Sequence, residues 1–269
     1  MATWDFAGAQ PIDANISIAS GSVSITAEQT DVTSVIISRG RSVDRSDDDV
    51  AEDVTVDFAD RHLVVSELPR RGLTWRFKDL HVRIVMPTGS RVAVQAASAD
   101  VTCAGTYGAV DIRSASGRID VATVHGPAEI STMSGGVQLL EAAESSVQTA
   151  SGRILVRHAV GDVAAKTASG NITIGQADAS VTAGTASGAI LVGGLARGRA
   201  ELNSVSGDIR VKVLPDTGVF LDLASVTGRV SSDLQAAEKD DGAYLQLQCR
   251  TVSGSVHVAR APAPAEMAS

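Results

Sequence analysis

The chain has 269 residues and carries 23 Lys plus Arg against 31 Asp plus Glu, which gives a formal net charge of −8. This acidic balance and an apolar content of 44% indicate a globular protein and argue against a nucleic-acid-binding or anionic-membrane-binding surface. Aromatic residues make up only 3%, so the core must be built in thin layers from Val, Ile, Leu and Ala.

The first 95 residues contain short runs with strand-like alternation but no regular repeat. We expect residues 1–95 to form an N-terminal β region that caps the repeats following it, because an open end of stacked strands is a sheet edge. The runs are Ile12 to Ile25, Val32 to Ser38, Val54 to Phe58, Leu63 to Ser66 and His81 to Met86.

A repeated motif occupies residues 96–260. It consists of a hydroxyl residue, a small apolar residue, Ser, Gly, any residue and then Ile or Val, as in Thr167 to Ile172. Each copy has an anchoring residue, which is Thr at position 227 and Ser elsewhere. These residues stand at positions 98, 116, 134, 151, 169, 187, 206, 227 and 253, so the steps are 18, 18, 17, 18, 18, 19, 21 and 26. This period is too short for a propeller blade and fits one coil of a β-solenoid.

Apolar residues alternate with period 2 on both sides of each Ser-Gly pair, and the parity shifts by one after the Gly. A bend at a glycine explains the shift, since glycine adopts backbone angles that a Cβ forbids. We therefore predict an all-β, single-stranded β-solenoid with coils of about 18 residues. The predicted structural corners are Ser116, Gly117, Ser134, Gly135, Ser151, Gly152, Ser169, Gly170, Ser187, Gly188, Ser206, Gly207, Thr227, Gly228, Ser253 and Gly254.

Stacking of these coils in chain order has three consequences. Both hydroxyl residues of each motif are expected to face inward and to form hydrogen-bonded ladders. The small apolar residue between them faces outward and forms a stripe near the corner. The last strand, residues 255–259, is predicted to be an exposed edge without a cap, and the Pro/Ala-rich tail 261–269 is predicted to be disordered.

Two charged clusters are candidate binding sites. The acidic run from Asp44 to Asp53 lacks the glycine and the alternation of a calcium loop, which favours a solvated loop. The basic cluster Arg70, Arg71, Arg76, Lys78, His81 and Arg83 interleaves Trp75 and Phe77, either as an anion-binding patch or as a hairpin with exposed charges. We predict no metal site and no cofactor.

No catalytic residues are predicted. The five histidines lack ligand spacing, and Gly184 to Gly188 departs from the nucleophile elbow and recurs as a corner. Solenoid enzymes that cleave polysaccharides need carboxylates on one outer face across neighbouring coils. The outward columns after each Gly stack no acids, which argues against such an enzyme. The inward hydroxyls also argue against an ice-binding solenoid.

The chain shows no Sec-type signal and no apolar segment of 18 residues, so it has no predicted transmembrane segment. Its two cysteines, Cys103 and Cys249, lie outside any metal-binding or redox motif, which predicts two free packed thiols in a reducing compartment. A cytoplasmic location is therefore expected, with association to a surface or envelope left open.

The order of these segments resembles a known family. The run Val43 to Val56, then Leu63-Val64-Val65, then Val82 to Ser90, followed by Ser-Gly-x-Ile coils, is similar to bacterial β-strand-repeat domains labelled "putative adhesin", in particular actinobacterial ones. The resemblance covers about residues 1–260. It implies a β-solenoid of unknown function with no established catalytic residues, and some members are associated with envelope-stress systems.

From these observations we predict a non-enzymatic binding or scaffold protein. Its partner is expected to be another protein or a second copy of itself, not nucleic acid. The alternative is a self-assembling scaffold that resembles the bactofilins, which are cytoskeletal solenoids with coils of similar length. A polysaccharide-acting enzyme on a β-helix is the third interpretation.

Overall fold

The computed structural model describes residues 1–39, 53–68, 79–215, 217–234 and 244–262, and every element in them is a β-strand. None of the described elements is a helix with the length and apolar character of a membrane span. The chain divides into two compact units, Met1–Gly135 and Gly136–Ser269. The all-β prediction is thus confirmed, and the boundary expected at residue 95 falls inside a strand. The acidic run 44–52, the basic residues 70–78 and most of the tail (263–269) lie outside the described residues.

The described residues of the first unit form nine strands, and two long ones run side by side. The strands are β1 (Ala2–Ala7), β2 (Asp13–Glu28), β3 (Val32–Arg39), β4 (Val54–Ala59), β5 (His62–Glu67), β6 (Leu80–Pro87), β7 (Arg91–Tyr107), β8 (Ala109–Ser116) and β9 (Ile119–Ser134). β2 and β7 are parallel along almost their whole length, from Asp13 opposite Arg91 to Ala27 opposite Gly105.

β2 lies between strands that come later in the sequence, with β7 on one side and β5 and β6 on the other. Its first half pairs with β5 and its second half with β6, both parallel, on the side away from β7. Antiparallel strands then cover this end: β4 pairs with β5, β3 with β6, and β1 with β3. The rings of Phe6 and Phe58 stack with centroids 4.7 Å apart. The N-terminal region therefore contains both the antiparallel cover and a strand that belongs to the parallel stack.

The second unit consists of two parallel ladders. Its strands are β10 (Val137–Ser151), β11 (Ile154–Ala159), β12 (Val163–Ser169), β13 (Ile172–Ala177), β14 (Val181–Ser187), β15 (Ile190–Leu195), β16 (Gly198–Ser206), β17 (Ile209–Val213), β18 (Gly218–Ser225), β19 (Val230–Ser232), β20 (Tyr244–Ser253) and β21 (Val256–Arg260). One ladder runs β10–β12–β14–β16–β20–β18. The other runs β10–β11–β13–β15–β17–β21–β19.

The last repeat is not at the end of either ladder, which makes the prediction of an exposed strand at 255–259 wrong. β20 is inserted between β16 and β18, and β21 between β17 and β19. The physical reason is apolar content in the second strand of each repeat: β21 places Val256 and Val258 in the core, whereas the residues opposite them in β19 are Val230 and Ser232. Burial on both sides is worth most for the more apolar repeat. The outermost repeat is the one formed by β18 and β19.

Inward positions follow the predicted parity. Val163 and Ala165 before the corner, and Ile172 and Ile174 after it, are all buried. Lys166, the residue after Ala165 in β12, is exposed. The predicted one-residue shift of parity across the Ser-Gly pair is therefore confirmed. In the described part of the unit, the core is a stack of mostly aliphatic side chains with no aromatic ring among the fully buried residues.

Candidate interaction surface at the Ser-Gly corners

The predicted corners stack in register in the structure. In the first unit Ser98 lies opposite Ser116, and Ser116 opposite Ser134. In the second unit the column runs Ser151, Ser169, Ser187, Ser206 and Ser253. Thr227 joins this column beside the last repeat, where its backbone amide donates to the carbonyl of Val252 at 3.1 Å. At the Ser-Gly pairs from Ser116 to Ser253, one strand ends at the serine and the next begins three residues later.

One corner was missed by the sequence analysis. Ser20 lies opposite Ser98 in the β2–β7 ladder, and Gly21 after it has a φ of +121°. The motif itself, Ser20-Gly21-Ser22-Val23, could have revealed this corner. It was overlooked because it stands 78 residues before Ser98 and breaks the regular period.

Close backbone approach explains why glycine follows the corner serine. A Cβ on Gly188 would lie 2.0 Å from the carbonyl oxygen of Gly170 in the neighbouring repeat, and the φ of Gly188 is +149°. Both conditions exclude an L side chain at this position. The corner glycines therefore set the distance between repeats and carry no chemistry of their own.

The two hydroxyl residues of each motif do not both face inward, so that prediction is wrong for the second one. The first is half-buried at Ser225 and buried in the other repeats, at Ser114, Thr132, Thr149, Thr167, Thr185, Ser204 and Thr251. The Ser before the Gly is exposed at positions 134, 151, 169, 187, 206 and 253 and half-buried at 116. The backbone bends at the Ser-Gly pair, which takes the serine out of the alternation of its strand.

The first hydroxyls form the predicted contacts between repeats at four positions, one of which is Ser225, whose hydroxyl donates to the Gly254 carbonyl oxygen at 2.8 Å. Thr185, Ser204 and Thr251 donate to the carbonyl oxygens of the corner glycines in the adjacent repeat, at 3.2, 3.3 and 3.2 Å. Thr149 and Thr167 have no hydrogen-bond partner for their hydroxyls among the described residues. The ladder of hydroxyl contacts is thus formed in the later repeats and interrupted in the earlier ones.

A second set of contacts between repeats uses Asp and Asn side chains that directly follow the corner. Their Oδ1 atoms accept a hydrogen bond from a backbone amide of the neighbouring repeat: Asp100 from Arg118, Asn171 from Ala189 and Asp208 from Ser255, at 2.8, 2.9 and 2.9 Å. In the sequence, Asn171 and Asp208 belong to an outward column without stacked acids, and Asp100 stands two residues after Ser98. Their recurrence after the corner was the signal for a structural role.

The outward apolar stripe is confirmed, and it becomes more prominent toward the later repeats. In ladder order it consists of Ala150, Ala168, Ala186, Val205, Val252 and Val226, all exposed. Val205 is 55%, Val252 48% and Val226 75% exposed, although the inward residues of β16 and β20 are buried. We call these six side chains the valine row.

A groove of about 560 Å³ lies along the valine row in the second unit. Its lining includes Gly184, which has no side chain, and Ala224, which has a small one, together with Asn203 and Arg250. The guanidinium of Arg250 is 3.4 Å from Asp222 Oδ2, so its positive charge is partly balanced. The groove is open, mostly apolar and edged by hydrogen-bonding groups.

His158 lies between the carboxylates of Asp178 and Glu141. Its Nε2 lies 2.8 Å from Asp178 Oδ2, and its Nδ1 lies 3.5 Å from Glu141 Oε2. The hydrogen bond with Asp178 raises the pKa of His158, burial opposes this, and Glu141 adds to the increase. Burial raises the pKa of Asp178, but hydrogen bonds from Gln176 and His158 outweigh it and leave that pKa lowered. The described residues contain no group of three His, Cys, Asp or Glu side chains arranged to hold a metal ion.

Both cysteines are free and buried, as the sequence predicted. Burial raises the pKa of the Cys103 and Cys249 thiols to about 12. A thiol is nucleophilic only as the thiolate, so neither side chain has the environment of a catalytic cysteine. Near Cys103, the hydroxyl of the fully buried Tyr107 lies 2.9 Å from the Ile25 carbonyl oxygen and 2.8 Å from that of Ala104.

Comparison with known proteins agrees with this geometry. The family model described as Toastrack DUF4097 matches residues 13–259. A solved structure of a "putative adhesin" from Bacteroides fragilis has 15% identity and a TM-score of 0.53, with 96% of each chain covered. A "putative adhesin" from Parabacteroides distasonis has 13% identity and a TM-score of 0.44, again with 96% of each chain covered.

No curated protein matches the chain. At 15% identity, the likeness to the Bacteroides fragilis structure supports the fold alone. The family match spans both units, from the strand inserted at the N-terminal end to the repeat inserted near the C-terminal end. The chain belongs to the Toastrack DUF4097 family.

Proposed function

We propose that the chain is a non-enzymatic, adhesin-like binding module built as a single-stranded β-solenoid, with each repeat forming one turn. The observation that carries this proposal is the valine row. Val205 and Val252 on adjacent strands, with Val226 next to them, expose apolar side chains beside a groove, although the inner faces of β16 and β20 are fully packed. Contiguous exposed apolar side chains with a polar border mark interaction sites.

The proposed partner is a protein. Asn203 and Arg250 beside the groove supply donors for main-chain carbonyls or carboxylates of a bound chain, while the valines supply apolar contact. An apolar centre with arginine nearby is the composition found in protein–protein interfaces. The Bacteroides fragilis structure with this fold is named a "putative adhesin", which supports a role in association.

The outward carboxylates support a non-enzymatic function. Asp100 and Asp208 each accept a backbone amide from the neighbouring repeat, which commits one oxygen of each to holding repeats together. General acid–base pairs need carboxylates free to exchange a proton with substrate. A turnover activity that is abolished by a single substitution would overturn this part of the proposal.

Site-specific crosslinking tests the proposed surface. A photoreactive amino acid is placed at Val205 or Val252 in the full chain, with Thr182 and Lys166 as controls, which are exposed elsewhere on the same ladder. We expect a discrete protein adduct from the two valine positions, absent from the controls and lost in a Val226→Lys background. Equal crosslinking at all four positions, or none at the valines, would contradict the valine row as the binding surface.

A second candidate function is self-assembly as a scaffold, comparable to the bactofilin interpretation drawn from the sequence. The terminal repeat formed by β18 and β19 favours it. The core-facing side chains Val219, Leu221 and Leu223 are only half-buried there, and on its outer side β18 has no strand partner in the described part of the chain.

We also propose a cytoplasmic location and an association with an envelope-stress system. The two free, buried thiols support a reducing compartment, and the family resemblance supports the stress association. Fractionation of cells that express the tagged full chain tests the first point. Recovery of the protein in the exported or surface fraction would contradict it.

A further inference from the structure

We infer that the terminal repeat of the second unit, β18 with β19, pairs edge to edge and antiparallel with the same repeat of a second copy of the chain. This inference rests on the second candidate function, self-assembly, and specifies its interface. A two-fold arrangement of this kind uses the same surface on both copies and closes as a dimer.

The first argument is the state of the core at this end. Leu221 lies opposite Leu247 and Leu223 opposite Cys249 in the β18–β20 ladder. Leu247 and Cys249 are fully buried, whereas Leu221 and Leu223 are half-exposed. Val230 is 42% exposed, whereas Val256 opposite it is fully buried. The terminal repeat therefore has a core face that another layer of the same kind would bury.

The second argument is that β18 carries none of the usual protection of an edge strand. Natural edges are blocked by Lys, Pro, bulges or inward charges. β18 pairs with β20 in unbroken register from Gly218 to Ser225 and contains neither Lys nor Pro. Its single charge, on Asp222, is already bound by Gln248 at 2.7 Å and by Arg250 at 3.4 Å.

The third argument is charge complementarity of β19 with a reversed copy of itself. Arg229 precedes the strand and Asp233 follows it, and both are exposed, although Asp233 Oδ2 also lies 3.4 Å from His257 Nε2 of its own chain. When Ser231 of one copy lies opposite Ser231 of the other in an antiparallel pair, Arg229 of each copy lies opposite Asp233 of the second. Two opposite-charge pairs then form across the axis, whereas a parallel pairing in register would place like charges together.

The side-chain pattern of β18 favours the matching register. With Leu221 opposite Leu221 of the second copy, Val219 lies opposite Leu223, so the core-facing positions of both copies meet. Asp222 then lies opposite Phe220, which is 52% exposed, instead of opposite Asp222 of the second copy. This register avoids juxtaposed like charges and keeps apolar side chains on one face.

The test is the mass of the purified full chain by light scattering and sedimentation over a hundredfold range of concentration. We expect a dimer that dissociates on dilution. Leu221→Lys should raise the dissociation constant at least tenfold, and Leu191→Lys, at an exposed position of an interior repeat, should leave it unchanged. Because Leu221→Lys also perturbs packing, a charge series supplies the second measurement.

In that series Arg229→Asp and Asp233→Arg each place like charges opposite each other and should weaken the dimer about tenfold. The double substitution restores opposite charges and should restore the dimer. Arg153→Asp is the matched control, because Arg153 occupies the same position after the corner glycine of an interior repeat.

The outcomes separate this inference from the function on which it rests. Oligomers that respond to neither Leu221→Lys nor the charge series would overturn the β18–β19 interface but leave self-assembly in place. A monomer at every concentration would overturn both. Failure of the double substitution to rescue the dimer would contradict the antiparallel register.

Discussion

A Cβ on Gly188 would lie 2.0 Å from the carbonyl oxygen of Gly170, which is far inside van der Waals contact. The two glycines occupy the same corner in adjacent repeats, so the spacing of the parallel strands is set by the absence of a side chain. The same relationship holds for Gly207 and Gly188, at 1.9 Å. A sequence motif that looks like a possible nucleophile elbow is therefore a packing requirement.

We expect Gly188→Ala to destabilise the protein by more than about 2 kcal/mol, because it combines a backbone clash with a disfavoured positive φ. Gly184→Ala is the matched control four residues earlier. A Cβ there meets nothing nearer than the Asn203 carbonyl oxygen at 3.9 Å. Chemical denaturation of both variants measures the difference, and equal destabilisation would contradict the role assigned to the corner.

Ile172→Ala should cost about 2–5 kcal/mol, since Ile172 is fully buried between repeats and its truncation leaves a cavity. Lys166→Ala should change the free energy of unfolding by less than about 0.5 kcal/mol, since Lys166 points to solvent. Urea titrations of the two variants test the assignment of inward and outward positions. Similar losses would show that the assignment is wrong.

Both thiols should resist alkylation in the folded protein at neutral pH. Burial raises the pKa of Cys103 and Cys249 to about 12, so the thiolate fraction is very small, and neither side chain is exposed. We expect no iodoacetamide adduct by mass spectrometry under native conditions and two adducts after denaturation. Rapid labelling of the native protein at either position would contradict the buried geometry.

The His158–Asp178 pair should make stability depend on pH in a defined direction. Because the folded pKa of His158 is raised above 6.5, its contribution is fully present below that value and is lost as pH rises through the folded pKa. Asp178 has a lowered pKa, so its contribution is lost only as pH falls below its usual value of 3.8. The pair is therefore most favourable between these limits.

A double-mutant cycle of His158→Gln and Asp178→Asn, followed by denaturation at pH 5 and pH 8, measures this coupling. We expect a coupling energy of less than about 1 kcal/mol at pH 5, because both side chains are partly exposed, and a smaller one at pH 8. Coupling that grows toward pH 8 would mean that the interaction does not involve the protonated histidine.

The sequence by itself determined the local properties of this protein: the all-β class, the strands with period 2, the parity shift at each Ser-Gly pair and the outward stripe from Ala115 to Val205. These follow from side-chain size, polarity and glycine backbone freedom, which act over a few residues. The family resemblance also followed from the order of such local segments.

Only the tertiary structure decided the order of the strands. The insertion of β2 beside β7, and of β20 and β21 before β18 and β19, pairs residues far apart in the chain, and a local pattern does not encode which neighbour a strand selects. The selection depends on how much apolar area each repeat buries when it is covered on both sides. For this reason the predicted edge at residues 255–259 was wrong. The exposed edge is β18, in which Leu221 lies opposite the buried Leu247.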